Sequence, residues 1–339
     1  MKIGIVNDLP MALEALRRVL ALRPDHAVIW AARDGAQAVA LCGQETPDLV
    51  LMDLIMPGTD GVEATRQIMA ATPCAILVVT SSVGANAARV FEAMGHGAID
   101  AVDTPVLGPG DLQESAAAFL HKIDTVAKLV GTRRFIPSAD TFSDTWIITR
   151  RERLVAIGAS AGGPAALTAV LSGLPKDFPA AVVIVQHVDE RFAKGLADWL
   201  SRDSALPVRV AKEGDRPTAG TVLLAGTNDH LQFISSERIG YTSEPREQAY
   251  RPSVDVFFGS VGAHWPGEAV GVLLTGMGRD GAKGLKTLRD KGHYTIAQNQ
   301  ATSTVYGMPK AAASLGAAVD ILPLERIAPR LVDTFKHKL

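Results

Sequence analysis

The sequence predicts two α/β domains, each an open, largely parallel sheet, the second carrying an antiparallel hairpin. Three observations carry that expectation. Short apolar runs alternate with segments of helical period along the first third of the chain, and a second such alternation begins at Arg153. The 339 residues suffice for two separate cores, since domains run to about 150 residues each. Strands alternating with helices of this length form βαβ units, whose parallel strands are joined by right-handed crossovers.

In the first third, Lys2–Val6, Ala27–Ala32, Leu49–Met52, Ala75–Thr80 and Ile99–Val102 are the expected strands. Between them MALEALRRVL, GAQAVALC, GVEATRQIMA and AARVFEAM carry apolar residues at helical spacing, and a last helix covers Leu112 to Val130. The stretch that follows, GTRRFIPSADTFSDTW, is rich in Ser, Thr, Asp and Pro and lacks a sustained period, which marks a linker. Its Arg133 and Arg134, with Arg150, Arg151 and Arg153 beyond, are expected on a solvated face. From Arg153, LVAIGAS is a strand entering a glycine-rich turn, AALTAVLSGL a helix and AAVVIVQH a second buried strand. TVLLAG, HLQFIS and RIGYTS are expected as antiparallel strands of a hairpin insertion. AVGVLLTGMG returns to a buried strand, GAKGLKTLRDKG is helical and HYTIAQ is a further strand. The domains are therefore placed at 1–122 and 151–339, with a linker over 123–150.

Composition narrows the function classes. Lys plus Arg number 34 against 36 Asp plus Glu, so the chain is not held to nucleic acid or anionic lipid by bulk charge. Apolar residues make up 47% and charged ones 21%, the balance of a globular protein and not of a disordered one. Cys42 and Cys74 lack C-x-x-C spacing, which argues against a disulfide framework or zinc cluster and fits a reducing cytoplasm. No apolar run approaches the ~18 residues of a membrane span, and Asp8 falls too early for a signal peptide.

Ligands of open parallel sheets bind outside the carboxyl ends of the strands. Those ends carry Asn7 and Asp8, then Asp53, then Thr80. Asp8 and Asp53 converging on one edge make an oxygen site suited to Mg²⁺, which could neutralise an incoming phosphoryl group. Asp53 is the expected nucleophile, forming an aspartyl phosphate that Thr80 would hydrogen-bond and report. The sequence LMDLIMPGTDG around Asp53 resembles the phosphoacceptor loop of response-regulator receiver domains, and the resemblance covers Met1 to Lys122. It implies a flavodoxin-like five-stranded parallel fold. Two residues depart from the receiver pattern. Asn7 stands where a second acid is usual, which weakens Mg²⁺ binding, and Thr104 stands where a Lys before Pro is usual, which removes a salt bridge to phosphate.

In the second half, IGASAGGP is a strand, turn and helix start with Ser160 at the tip. As a dinucleotide loop it lacks the middle glycine of G-x-G-x-x-G, and the next strand ends in Gln186–His187 where a ribose-binding acid is needed. Gly158 to Gly162 does satisfy the nucleophile-elbow pattern G-x-S-x-G. His187, ending the adjacent strand, would lie within reach of Ser160 as general base, strand ends being about 5 Å apart. Gly276 to Gly281 also fits G-x-G-x-x-G, but Asp280 inside that loop would repel phosphate and suits the orienting acid of a Ser-His-Asp triad. The helix-start N–H of Ala161 is an oxyanion donor candidate. His230 and His264 have no motif role and are expected to be structural.

GASAGGP, VVIVQH, YRPSVDVFF, LLTGMGRDGAKGL and AQNQATSTVYGMP resemble the catalytic domain of chemotaxis-type protein-glutamate methylesterases, the CheB family, from Arg153 to the C-terminus. The resemblance implies a doubly wound α/β fold with an antiparallel hairpin. It also implies hydrolysis of glutamate methyl esters on chemoreceptor signalling helices, with deamidation of glutamines. By motif it places the nucleophile on Ser160, the base on His187, the acid on Asp280 and a second oxyanion donor on the Met277 N–H. It implies no cofactor for the esterase, a chemotaxis-type histidine kinase as phosphodonor, a cytoplasmic setting and autoinhibition by the receiver. VNDLP, LMDLIMP, VFEAMGHGAID and VDTP are most similar to the methylesterase of Wsp-type surface-sensing systems. Three competing readings remain at this level: a catalytically weak response regulator that binds partners under phosphorylation control, a small-ester hydrolase, and, behind both, a nucleotide-dependent oxidoreductase.

Overall fold

The computed structural model describes residues 1–105, 116–131 and 152–336, and the chain divides into two compact units, one built on residues 1–130 and one on the elements after residue 152. Most of the expected linker, with Arg133, Arg134, Arg150 and Arg151, lies outside the described residues, as does the start of the helix expected from Leu112.

The first unit runs β1 (Lys2–Val6), α1 (Pro10–Leu20), β2 (Ala27–Ala32), α2 (Gly35–Gln44), β3 (Leu49–Met52), α3 (Gly61–Ala71), β4 (Ala75–Thr80), α4 (Ala87–Gly95), β5 (Asp100–Asp103) and α5 (Ala117–Gly131). Its strands form one parallel sheet in the order β2-β1-β3-β4-β5. LVLM of β3 and AILVVT of β4 are buried at every position, because helices cover both faces of such a sheet and its central strands become continuous apolar runs. The strand expected at Ile99–Val102 lies one residue later, and α5 continues past residue 122. Asp60 caps α3 by accepting the Glu63 N–H at 3.0 Å.

Gly61, next to that cap, lies so close to the β3 end that a Cβ there would sit 1.9 Å from the Asp53 carbonyl oxygen. Backbone cannot move aside as a side-chain tip can. Gly61→Ala should therefore lower the stability of the first unit by about 3 kcal/mol, measured as the shift of its melting transition in the full chain. An unchanged transition would show that the loop yields.

The second unit runs β6 (Arg153–Ala159), α6 (Gly163–Ser172), β7 (Ala181–Gln186), α7 (Glu190–Leu200), β8 (Val208–Val210), β9 (Val222–Leu224), β10 (His230–Phe233), β11 (Ile239–Thr242), α8 (Val254–His264), β12 (Glu268–Leu273), α9 (Ala282–Asp290), β13 (Tyr294–Gln298), α10 (Met308–Ser314), β14 (Asp320–Leu322) and α11 (Leu324–Lys336). Seven strands pair in parallel in the order β14-β13-β12-β6-β7-β9-β8. The hairpin is β10–β11 alone, with His230 opposite Thr242. TVLLAG does not belong to it, contrary to the sequence expectation. Val222–Leu224 is buried throughout and pairs in parallel with β7 and β8, as its unbroken apolar run befits. Phe233 of the hairpin packs on Phe257 of α8 and on Trp265, with ring centroids 6.5 and 5.4 Å away. That packing fixes His230 beside the start of α8.

Candidate active site and phosphoacceptor pocket

Strand register assembles the second unit's site. Ala159 of β6 pairs with Gln186 of β7, so the next residues, Ser160 and His187, leave the sheet side by side. The His187 N–H donates to Ala159 O at 3.0 Å and the Ser160 N–H to Thr275 O at 3.0 Å. The buried Gln186 amide ties the two ends together, its Nε2 donating to Ser160 O at 2.9 Å and His187 O at 3.1 Å. On the other side of β6, Leu273 of β12 pairs with Gly158, and the turn that follows delivers Asp280. Gly276 in that turn has no room for a side chain, since a Cβ would meet Met308 Sδ at 2.2 Å and Ser160 Cβ at 2.8 Å. Its bareness lets the acid-bearing turn approach the serine.

His187 Nε2 lies 2.7 Å from Asp280 Oδ2. The ring's other nitrogen, Nδ1, is buried without a hydrogen-bond partner. A carboxylate at Nε2 favours the Nε2–H tautomer and leaves a lone pair on Nδ1, the atom able to take a proton. Ser160, at the adjacent strand end, makes no hydrogen bond to Nδ1, which is common before substrate binds.

Asp280 is held from every side. Its Oδ1 accepts from Ser253 Oγ at 2.8 Å and the Asp255 N–H at 3.0 Å, and its Oδ2 also accepts the Val254 N–H at 2.6 Å. These donors are the N-terminus of α8, where unpaired N–H groups and the helix dipole favour negative charge. Burial alone would push the Asp280 carboxyl up. The His187 hydrogen bond and charge and the helix N–H groups together hold it below the usual carboxylate range.

The neighbouring Asp255 carries the cost. Burial first, and the Asp280 charge second, push its carboxyl up to about 7, against the Gly284 N–H it accepts at 2.7 Å. A raised carboxyl keeps its proton in the folded state from its unfolded value near ~3.9 upward. Its contribution to stability is thus complete below that value and is lost as pH rises through about 7. Asp255→Asn stays neutral and can still accept from Gly284. It should raise the melting temperature more at pH 8 than at pH 5. An equal shift at both values would mean Asp255 is ionised throughout.

Two contacts here were not legible in the sequence. Tyr250 stacks on the His187 ring, centroids 3.9 Å apart and planes 13° from parallel. His230, expected to be structural, is fully buried and holds Ser253. The Ser before V-D-V-F-F does signal the cap of a helix; Ser253 Oγ accepts the Val256 N–H. Nothing local signals that Asp280 would dock there. Of the two oxyanion candidates, Ala161 lies in the turn after Ser160, and the Met277 N–H donates to no backbone carbonyl among the described residues.

In the first unit, Asp53 Oδ1 accepts the Leu54 N–H at 2.7 Å and Oδ2 accepts Asn7 Nδ2 at 3.0 Å. Asn7 Oδ1 is taken by the Leu9 N–H at 2.9 Å. The Asn7 amide therefore acts as a donor to Asp53. Burial pushes the Asp53 carboxyl up, the Ile55 and Leu54 N–H groups draw it down, and the Asp8 charge raises it again. The Asp53 carboxyl, raised in part by the Asp8 charge, is one that a hard cation shared by the two oxygen donors would relieve, so Asp8 and Asp53 fit Mg²⁺. Among the described residues no group of three or more His, Cys, Asp or Glu gathers for a metal. Buried Thr80 ends β4, where Asn86 Nδ2 donates to its Oγ1 at 3.0 Å. Thr104 follows β5, its N–H on Thr80 O at 2.8 Å. Cys42 and Cys74 are free thiols, and no helix among the described residues is long and apolar enough to cross a membrane.

The chain matches two family models, the response regulator receiver domain over residues 3–117 and the CheB methylesterase over residues 155–331. It is 62% identical over 334 residues to protein-glutamate methylesterase/protein-glutamine glutaminase 4 of Burkholderia thailandensis, covering 98% of this chain and 97% of that one. It is 59% identical over 335 residues to a protein-glutamate methylesterase/protein-glutamine glutaminase of Pseudomonas putida, covering 99% of both. The crystal structure of the Thermotoga maritima CheB methylesterase catalytic domain superimposes with a TM-score of 0.52 at 33% identity, over 55% of this chain and all of that one. With matches of that length and identity, the chain belongs to the CheB methylesterase family and carries a response regulator receiver domain ahead of the methylesterase domain.

Proposed function

We propose that this protein hydrolyses glutamate methyl esters, and deamidates glutamines, on the cytoplasmic signalling helices of chemoreceptors, under control of phosphorylation at Asp53. The observation that carries the hydrolytic reading is the His187–Asp280 pair beside Ser160, with Nδ1 left able to accept a proton. Ser160 Oγ attacks the γ-ester carbonyl carbon as His187 Nδ1 takes the hydroxyl proton. The oxyanion is received by the N–H groups of Met277 and Ala161, each good donor being worth about 3–4 kcal/mol. The C–O bond breaks, and the departing methoxide takes the imidazolium proton and leaves as methanol. Water then gives its proton to Nδ1, attacks the acyl-enzyme, and releases the glutamate carboxylate with Ser160 restored. With a glutamine side chain ammonia leaves in place of methanol. Asp280 balances the imidazolium charge throughout, and the Tyr250 face stacked on the ring adds cation–π stabilisation to the charged form.

In the receiver, Asp53 is the phosphoacceptor, Asp8 and Asp53 hold the Mg²⁺, and a histidine kinase of the chemotaxis type is the phosphodonor. The bound ion would neutralise charge on the incoming phosphoryl group. Thr80 reads the modification by leaving Asn86 for the phosphate. The receiver is placed at 1–122, with α5 running on past it, and the methylesterase domain at 151–339; VNDLP and VDTP support a place in a Wsp-type pathway.

The test is methanol release from a methylated receptor signalling domain, with and without a small-molecule phosphodonor. Release that rises with phosphodonor is expected. Equal turnover of free glutamate methyl ester would point to a small-ester hydrolase, and no release at all would leave a phosphorylation-controlled binding protein.

A further inference from the structure

The triad's acid is anchored through a second histidine. His230 begins β10 and is fully buried. Its Nε2 lies 3.1 Å from Pro245 O, and its Nδ1 lies 3.0 Å from the Ser253 backbone N. A carbonyl oxygen only accepts and a peptide N–H only donates, so the ring must be neutral, with its proton on Nε2 and a lone pair on Nδ1. Burial lowers its pKa, as does the charge of Arg251, while Pro245 O, Asp280 and Asp229 act the other way. Ser253, fixed in this way, donates its hydroxyl to Asp280 Oδ1 at 2.8 Å, and Asp280 Oδ2 holds His187. Pro245, His230, Ser253, Asp280 and His187 are thus linked in series: His230 holds the Ser253 backbone, the Ser253 hydroxyl donates to the acceptor-only carboxylate, and the carboxylate holds His187.

We propose that His230 is a positioning residue for hydrolysis: by accepting the Ser253 N–H at Nδ1, it sets the start of α8 and the Ser253 hydroxyl on Asp280, and through them the His187 ring. The alternative is that His230 only pins the loop at Pro245. The two bonds are made by different ring nitrogens, so they can be removed separately. His230→Asn places an amide oxygen where Nδ1 stands and keeps the acceptor for Ser253, losing the Pro245 bond. His230→Gln reaches the Nε2 position and keeps the Pro245 bond, losing the acceptor.

This inference rests on the triad reading, and Ser160→Ala in the full chain separates the two. In the methanol-release assay His230→Gln should have a kcat about 30-fold below that of His230→Asn, with KM little changed, since displacing a catalytic group by about 1 Å can cost on the order of 100-fold. Equal losses in both variants, or the greater loss in Asn, would overturn the positioning role while leaving the triad intact. Methanol release that persists in Ser160→Ala would overturn the triad reading itself. Should either His230 variant fail to fold, the ring is read directly in the wild-type chain by long-range ¹H–¹⁵N correlation of its histidines. A pyridine-type Nδ1 and a protonated Nε2 at His230 are expected at neutral pH. The opposite tautomer, or an imidazolium, would overturn the proposal.

Discussion

Ser160→Ala should lower methanol release by about 10⁶-fold while leaving the melting temperature of the second unit unchanged. The loss is large because, in the proposed mechanism, every covalent step passes through that one oxygen. Without it, His187 and the N–H donors have only water to act on, a nucleophile that is not tethered beside the ester as a side chain is. The fold should be indifferent because the bonds that hold Ser160 in its turn are made by its backbone, the N–H on Thr275 O and the carbonyl under Gln186 Nε2. Removing the hydroxyl touches neither. A variant that kept a tenth of wild-type activity would place the nucleophile elsewhere.

Asp280→Asn should cost about 10⁴-fold in kcat and, unlike the serine change, should also destabilise the second unit. An amide has one acceptor oxygen where the carboxylate has two. If the amide nitrogen takes the Oδ2 position it faces the Val254 N–H and His187 Nε2, now 2.6 and 2.7 Å away. His187 would then move its proton to Nδ1 to accept from the amide, and the base facing Ser160 would be gone. If the nitrogen takes the Oδ1 position it faces the Asp255 N–H and the Ser253 hydroxyl, and only the hydroxyl can reverse. Either way a buried donor is left without an acceptor, at about 1–3 kcal/mol, and the helix end loses a charge worth up to about 2 kcal/mol. Kinetics and calorimetry on the same preparation check both losses. A stable but inactive variant would mean the helix start is held by other groups, and an active one would show that Asp280 neither orients His187 nor balances its charge.

Much of this site was legible as strand-end chemistry. Ser160, His187 and Asp280 each follow a run of apolar residues long enough to identify as a buried strand, and parallel sheets gather such ends at one edge. The same reasoning located Asp8, Asp53 and Thr80. What was not legible depends on contacts across long sequence separations. Tyr250 reaches His187 over 63 positions, and no local pattern in YRPS announces an aromatic lid for an imidazole. The Val222–Leu224 strand was assigned to the hairpin because it precedes two genuine hairpin strands; three apolar residues state burial but not direction. β8, also three residues long and with no position fully buried, left no apolar run to detect. Asn86 on Thr80 spans only six positions, but it is made within a loop and becomes visible only once that loop is folded.

The strand order also governs when the second unit can become an enzyme during synthesis. β6 lies at the middle of the sheet, and one of its two neighbours, β12, begins only at Glu268. A nascent chain that has emerged through β9 can pair β6 with β7, but the opposite side of β6 remains an open edge of unpaired N–H and C=O groups. Over a hundred residues must follow Ser160 before that edge is sealed. The same strand that seals it leads into the turn bearing Asp280, so closure of the sheet and arrival of the proposed triad's acid are one event. Chains stalled before Glu268 should be protease-sensitive and aggregation-prone, and ester cleavage by the growing polypeptide should not begin until synthesis has entered the last fifth of the chain.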